Sequence, residues 1–294
     1  MNAVTIEKSS ARSKELRQAV RIAPLRKVPG RLQYLQPAAE KPRSLEYEAP
    51  ADVPRTTAVY EEHKVDIHDM RPLAPTLSVE REGFQLLTAP SSISDFEDEE
   101  AIRSRYYAQS IALLKGVTGA SRVVVFDHTI RRRVPGASDR GVGVPRQPVP
   151  RVHVDYTVKS GPQRVRDLLG DQADELLKKR FSVINLWRPI HGPVLDAPLA
   201  VTDARSVGSE DLVATDLVYT DRVGEIYYVK YNPRHRWFYV PAMRDEEILL
   251  IKCYDSLNDG RARFVPHSAF VDPTTPAGTP PRESIELRTL VFYG

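Results

Sequence analysis

His153 and Asp155 sit in Arg151-Val152-His153-Val154-Asp155-Tyr156-Thr157, where apolar and polar residues alternate as they do in a β-strand. Residues two apart on a strand project from the same face, so the imidazole and the carboxylate stand together while Val152, Val154 and Tyr156 take the other side. These are two of the three donors of the facial triad, two His and one carboxylate, that holds non-haem Fe(II) and leaves positions open for co-substrate and oxygen. His-x-Asp occurs once in the chain. A tripeptide with two fixed residues also arises by chance, so the third ligand and a reason for iron must come from elsewhere.

Seven histidines are available. His63 and His68 fall in a Pro-broken N-terminal region, and His128 ends a strand beside Arg131-Arg132-Arg133, a poor place for a cation. His191 follows Pro189-Ile190 at a turn, and His235 occupies the hairpin tip Asn232-Pro233-Arg234-His235-Arg236. His267, in Phe264-Val265-Pro266-His267-Ser268-Ala269-Phe270, closes a β-rich run before the last strand and is the best third ligand, with His235 and His191 as alternatives. In that last strand Arg282, Ser284, Glu286 and Arg288 alternate with Ile285, Leu287 and Thr289, so the polar set shares a face. An Arg with a nearby hydroxyl suits a carboxylate, because guanidinium offers two parallel N–H donors in fixed geometry. Arg282-x-Ser284 follows His267 by 15 residues, within reach of the same pocket.

The elements that must position these groups are mostly strands. Of 294 residues 41% are hydrophobic and 28% charged, ordinary values for a globular protein with a substantial core, and a net charge of +3 gives no global pull toward nucleic acid or a membrane surface. The 24 Pro, concentrated in connections, favour a loop-rich β architecture over a helical bundle. One cysteine, Cys253, excludes an intramolecular disulfide and any multi-Cys metal site, and its apolar run Ile248 to Tyr254 makes it a buried strand residue. No 18-residue apolar run and no apolar secretory core are present, so a cytoplasmic protein is expected.

Residues 1–28 read as a flexible basic tail, and 29–294 as a single domain that begins with an extended arm of a few strands, to about Pro90, wrapped on the main body. A helix is expected over 99–116, introduced by acidic residues and N-cap candidates, then a strand over Ser121 to Ile130. Residues 134–150 form a Pro- and Gly-rich loop where a substrate lid would sit, and a second helical region spans 162–180. After Phe181 strands follow at short intervals to Tyr293, which implies a sandwich or jelly roll.

With these features in order, the chain resembles the Fe(II)/2-oxoglutarate-dependent dioxygenases. It is most similar to the subgroup of the cephalosporin 7-alpha-hydroxylase/methoxylase component, the fungal gibberellin desaturase and related secondary-metabolite hydroxylases. The resemblance runs from Arg105-Tyr106-Tyr107 and Val125-Phe126-Asp127-His128 through His153-Val154-Asp155-Tyr156-Thr157 and Asn185-Leu186-Trp187-Arg188-Pro189-Ile190. It continues through Tyr254-Asp255-Ser256 and Pro266-His267-Ser268-Ala269-Phe270 to Pro281-Arg282-Glu283-Ser284-Ile285-Glu286-Leu287-Arg288, covering most of the chain from about residue 30. It implies a mainly β double-stranded β-helix (cupin-like jelly roll) with flanking helices, and iron held by His153, Asp155 and His267. The co-substrate 2-oxoglutarate would chelate the metal and meet Arg282 and Ser284, or Arg288, with its distal carboxylate; the interval from His267 to Arg282 is longer than the family's commonest one. O2 then drives decarboxylation of 2-oxoglutarate to succinate, coupled to hydroxylation or desaturation of a small-molecule C–H bond.

Arg131, Tyr156, Trp187 and Arg188 are the candidates for lining the substrate pocket. Arg188 interrupts an apolar strand, and a buried Arg normally has an anionic partner, internal or in a ligand. Asp127 and Asp255 read as structural hydrogen-bond partners. Two other functions remain open on the residues: a redox-silent cupin-like isomerase or hydrolase, needing the metal but no Arg clamp, and a non-catalytic β-barrel binding protein.

Overall fold

The computed structural model describes residues 24–50, 52–137 and 145–294. The expected tail therefore lies mostly outside the described residues, and Lys27 and Val28 at its end already belong to a strand. Residues 138–144 of the expected lid also lie outside them.

Strand β1 (Lys27–Leu35) buries Val28, Gly30, Leu32 and Tyr34 in alternation, as a half-covered strand should. It is followed by β2 (Arg43–Leu45) and β3 (Tyr60–Asp69). The arm is not laid over a finished body. β1 pairs antiparallel with β3 over its whole length, and β3 continues the main sheet by parallel pairing with Trp237–Tyr239.

Strand β4 (Phe84–Thr88) opens a second sheet. The helix expected over 99–116 is observed as a turn, Glu99–Ala101, a π-helical turn, Ile102–Tyr106, and helix α1 (Tyr107–Thr118). The Asp98 carboxylate accepts from the Ala101 N–H at its start, and Gly119 ends it in the left-handed region at φ +69°. Next come β5 (Arg122–Arg132), β6 (His153–Val154), α2 (Ser160–Leu169) and α3 (Ala173–Leu177). The second expected helix is thus two, broken at Gly170, whose φ of +47° a continuous helix does not allow. Strands β7 (Phe181–Pro189), β8 (Leu199–Thr202), β9 (Leu212–Val218), β10 (Val223–Val229), β11 (Trp237–Tyr239), β12 (Glu247–Asp255), β13 (His267–Ala269) and β14 (Glu283–Phe292) complete the chain, matching the expected β-rich half.

The sheets run β1-β3-β11-β8-β13-β6-β10-β9-β2 and β4-β12-β7-β14-β5, antiparallel apart from β3–β11 and β2–β9. They form a jelly roll around a shared core, to which the larger sheet gives Val154, Val201 and Phe238 and the smaller gives Val183, Trp187, Leu249 and Leu290. The outer face of the smaller sheet, including Ile184, Leu186, Leu250 and Leu287, packs on Ile102, Tyr106 and Leu114 of the helical segment. Each such side chain contributes roughly 1.5–3 kcal/mol on burial. β7 is therefore covered on both faces, which is why its sequence is an almost unbroken apolar run.

Candidate active site

β6 and β13 are neighbours, and His153 and His267 stand directly opposite each other in the ladder. Cross-strand partners share a face, so both imidazoles enter the space between the sheets, ring centroids 4.4 Å apart. The Asp155 Oδ1 atom lies 3.4 Å from His153 Nε2 and 3.8 Å from His267 Nε2. Ligand atoms of all three residues fall within 4.8 Å of one another.

Each ring is turned and protonated for coordination. His153 Nδ1 is 2.8 Å from the Arg151 carbonyl and His267 Nδ1 is 3.0 Å from the Val265 carbonyl. A carbonyl only accepts, so each Nδ1 carries the proton and each Nε2 presents a lone pair to the site. Burial, with His153 alongside, pushes the His267 pKa down, against the pull of Asp155, and keeps it neutral. For Asp155 burial works the other way, but His153, Arg288 and His267 hold its carboxyl well below the usual range. Two imidazoles with Nε2 turned inward and a carboxylate on one side of an enclosed space fit a mononuclear Fe(II) with open positions.

The facing sheet supplies a polar surface in three rows set by register: Asp127–Arg288–Asn185, Thr129–Glu286–Trp187 and Arg131–Ser284–Pro189 on β5, β14 and β7. Asn185 Nδ2 donates to Asp155 Oδ2 at 2.7 Å and to Glu286 Oε1 at 2.9 Å. Arg288 Nε lies 3.5 Å from Asp155 Oδ2, while its Nη1 donates to Asp127 Oδ2 at 3.0 Å and Thr129 Oγ1 at 2.9 Å. With Oδ2 so occupied, Oδ1 is the oxygen left for a metal.

Arg282 differs. It is 4% exposed, donates from Nη1 to the Ala197 carbonyl at 2.5 Å and lies 5.4 Å from the Trp187 ring centroid. No carboxylate lies within salt-bridge distance of it among the described residues, and its Nε and the neighbouring buried Ser284 Oγ have no partner. Burial, with Arg131 adding to it and Glu286 opposing, pushes its pKa down to about 9, the sign of an uncompensated positive charge. A buried guanidinium beside an unpaired hydroxyl calls for an anion.

The pocket candidates separate. Trp187 faces the interior beside Arg282, and Arg131 opposes Ser284 on the same face, its Nη1 donating to the Gln147 carbonyl at 2.9 Å. Tyr156 borders, with Asp155 and Arg288, a cavity of about 500 Å³, because the strand alternation stops at Val154 and Asp155 and Tyr156 follow a bend. Burial pushes its hydroxyl up to about 12, against Arg164 and Arg288 nearby. Arg188 does not belong to the site. It lies one residue out of phase with Asn185 and Trp187, points to the helix side, and meets the Ala89 and Asp245 carbonyls and the Tyr106 ring. Its expected anionic partner is replaced by backbone dipoles and an aromatic face.

The other histidines are elsewhere. His128 bonds to the Tyr107 hydroxyl on the outer face at 2.7 Å, His235 contacts Asp211 and Tyr34, and His63 stacks on Tyr231. Asp255 pairs with Lys252 and Arg180, and Asp127 with Arg288, both as structural partners. Cys253 is fully buried in the core. Asn185, not among the residues expected at the site, is the one uncharged polar residue in the middle of the β7 apolar run, a visible signal. Glu286 was visible only as part of an alternation.

A triad-bearing jelly roll with a buried Arg that has no carboxylate partner among the described residues, beside a buried Ser, is the architecture of a non-haem iron oxygenase. The family description "Oxidoreductase/YMDC permease-like domain" matches residues 32–292. The chain is 34% identical to the hydroxylase/desaturase efuI of Hormonema carpetanum over 258 residues, 81% of this chain and 86% of that protein. It is also 34% identical to the Fe(II)/2-oxoglutarate-dependent dioxygenase nvfI of Aspergillus novofumigatus over 270 residues, 89% and 95% of the two chains. The solved structure of the iron and alpha-ketoglutarate-dependent endoperoxidase NvfI superposes with a TM-score of 0.82 at 30% identity, covering 91% of this chain and 98% of that one. The chain belongs to the fungal Fe(II)/2-oxoglutarate-dependent hydroxylase/desaturase family and is an Fe(II)/2-oxoglutarate-dependent dioxygenase. Among the described residues no helix is long and apolar enough to cross a membrane.

Proposed function

We propose that His153, Asp155 and His267 hold the iron, that Arg282 and Ser284 receive the distal carboxylate of 2-oxoglutarate, and that a small secondary-metabolite molecule is hydroxylated or desaturated beside them in the cytoplasm. The observation that carries this assignment is the convergence of His153 Nε2, His267 Nε2 and Asp155 Oδ1, each fixed by a hydrogen bond on its far atom. The iron, when bound, activates O2 with electrons from 2-oxoglutarate; the net reaction converts C–H, O2 and 2-oxoglutarate to C–OH, succinate and CO2.

What the chain itself does is position and exclude. The carbonyls of Arg151 and Val265 hold two imidazoles in the metal-binding tautomer, and Asn185 with Arg288 turns Asp155 so that one oxygen points at them. Arg282 is favoured over Arg288 as the clamp because Arg288 is already surrounded by Asp127, Asp155 and Glu286, whereas Arg282 has no carboxylate partner among the described residues. Apolar walls of Trp187, Leu249 and Ile251 keep water from the space between the sheets.

Incubated aerobically with Fe(II) and 2-oxoglutarate, the protein should release succinate slowly even without its organic substrate. The Arg282→Leu change should raise the 2-oxoglutarate concentration required while leaving iron binding intact. Succinate release that depends on Arg288 and not on Arg282 would move the clamp, and no oxygen uptake at all would favour a redox-silent metal protein.

A further inference from the structure

The cavity of about 500 Å³ beside Asp155 has a charge balance that points to its occupant. Its carboxylates are already engaged. Asp127 receives Arg288 at 3.0 Å, Glu225 receives Lys41 at 2.6 Å and Thr157 at 2.5 Å, Asp216 also pairs with Lys41, and Asp167 accepts from Gln163 at 2.7 Å.

Its cations are not all so engaged. Arg164 of α2 lines the cavity with its guanidinium carbon 5.7 Å from the Phe126 ring centroid and hydrogen-bonds the Tyr156 hydroxyl, while its Nε is buried with no partner among the described residues. Among the described residues Arg164 has no carboxylate partner, while Lys159 on the same wall is drawn to Glu225. Phe126, Tyr156 and Ile226 give that wall apolar surface. A half-buried guanidinium whose Nε is shut from water without a partner, at the edge of an apolar cavity, gains a hydrogen bond when an anion enters, and its planar fork matches a carboxylate.

We propose that this cavity takes the organic substrate and that Arg164 receives a carboxylate on it, so the enzyme acts on a carboxylated, largely apolar small molecule whose ring or chain packs on Phe126. The proposal rests on the oxygenase reading for what happens to the bound molecule, but the binding itself needs no iron. Arg164 is neither a metal ligand nor the Arg282 clamp, and Arg282 does not line this cavity, so the two anion sites are separable: one for the co-substrate, one for the substrate.

The test is equilibrium titration of metal-free protein with 2-naphthoate and with its neutral isostere 2-naphthamide. Naphthoate should bind at least about tenfold tighter than the amide. Arg164→Gln should weaken naphthoate by about ten- to a hundredfold, the range for a charge-assisted hydrogen bond, and leave the amide unchanged. Arg164→Lys, which keeps the charge and loses the fork, should retain part of the preference, and Arg282→Leu should retain all of it. Equal binding of acid and amide, no naphthoate binding, or a preference lost in Arg282→Leu and kept in Arg164→Gln would overturn the proposal. Failure of the oxygenase reading would show separately, as absent 2-oxoglutarate turnover with the naphthoate preference intact.

Discussion

Two buried charge clusters border the five-stranded sheet, and only one of them is closed. At one end Lys252 and Asp255, both fully buried, pair at 2.8 Å; Arg180 reaches Asp255 and Glu80 at 2.7 Å each, and Arg261 reaches Glu80 at 2.8 Å. Asp255 Oδ1 also accepts from the Leu257 N–H at 3.1 Å. At the other end Asp155, Glu286, Arg288 and Asn185 make a comparable network, yet among the described residues Arg282 Nε and Ser284 Oγ are left without partners and two imidazoles turn Nε2 toward the open space. A buried cluster that satisfies itself holds the fold. One that leaves donors and lone pairs unmatched is completed by something that is not protein.

Variants can break that contrast. The largest effect falls on the metal ligands: His267→Ala or Asp155→Ala should eliminate turnover and cut Fe(II) stoichiometry toward zero, measured by metal analysis after desalting, while wild-type iron content in His267→Ala would return the third ligand to His235 or His191. In the closed cluster, Lys252→Met leaves Asp255 with one cation fewer and should cost about 3–5 kcal/mol of unfolding free energy in a urea titration, with iron binding by the folded protein unchanged. Arg282→Leu should reverse the pattern. It removes an uncompensated charge, so thermal stability of the metal-free protein should hold or rise, while 2-oxoglutarate affinity drops about a hundredfold. Arg288→Leu, by contrast, should destabilise, because Asp127, Asp155 and Glu286 lose their shared cation.

Smaller effects sharpen the comparison. Asn185→Ala removes the shorter of the two contacts on Asp155 Oδ2 and should weaken iron binding about tenfold without touching 2-oxoglutarate specificity, a split measurable by metal titration. The closed cluster also carries a pH signature. Burial raises the Asp255 pKa, but Arg180 and Lys252 override it and the net shift is downward. A folded-state pKa below the unfolded one means this stabilisation is present above the unfolded value, near pH 4, and is lost as pH falls through the folded value. Wild-type urea midpoints should therefore fall on acidification below about pH 4, and the dependence should be shallower in Asp255→Asn.

Strand alternation made much of the site legible. The Arg282, Ser284, Glu286, Arg288 face follows from a period of two and His267 from its place before the last strand; the structure gathers them with His153 and Asp155 around one space, although Asp155 enters it from the bend after β6 and not along a strand. Arg188 was misplaced because β7 is apolar on both faces, so its sequence does not say which face looks inward. The choice between Arg282 and Arg288 also lay beyond the sequence, since it turns on which guanidinium already has acids across the ladder. Arg164 gave no signal: on an amphipathic helix an Arg looks solvated until the cavity beneath it is known. The arm was read as a wrapping segment because short Pro-broken strands do not reveal a long antiparallel pairing such as that of β1 and β3.

The most direct test of the open cluster needs no organic substrate. Fe(II) and then 2-oxoglutarate are added to the anaerobic protein, and the visible metal-to-ligand charge-transfer band of the chelate is recorded. The band should appear in the wild type, vanish in Asp155→Ala, and require far more 2-oxoglutarate in Arg282→Leu. Iron demonstrably bound with no band at any 2-oxoglutarate concentration would contradict the assignment of this site.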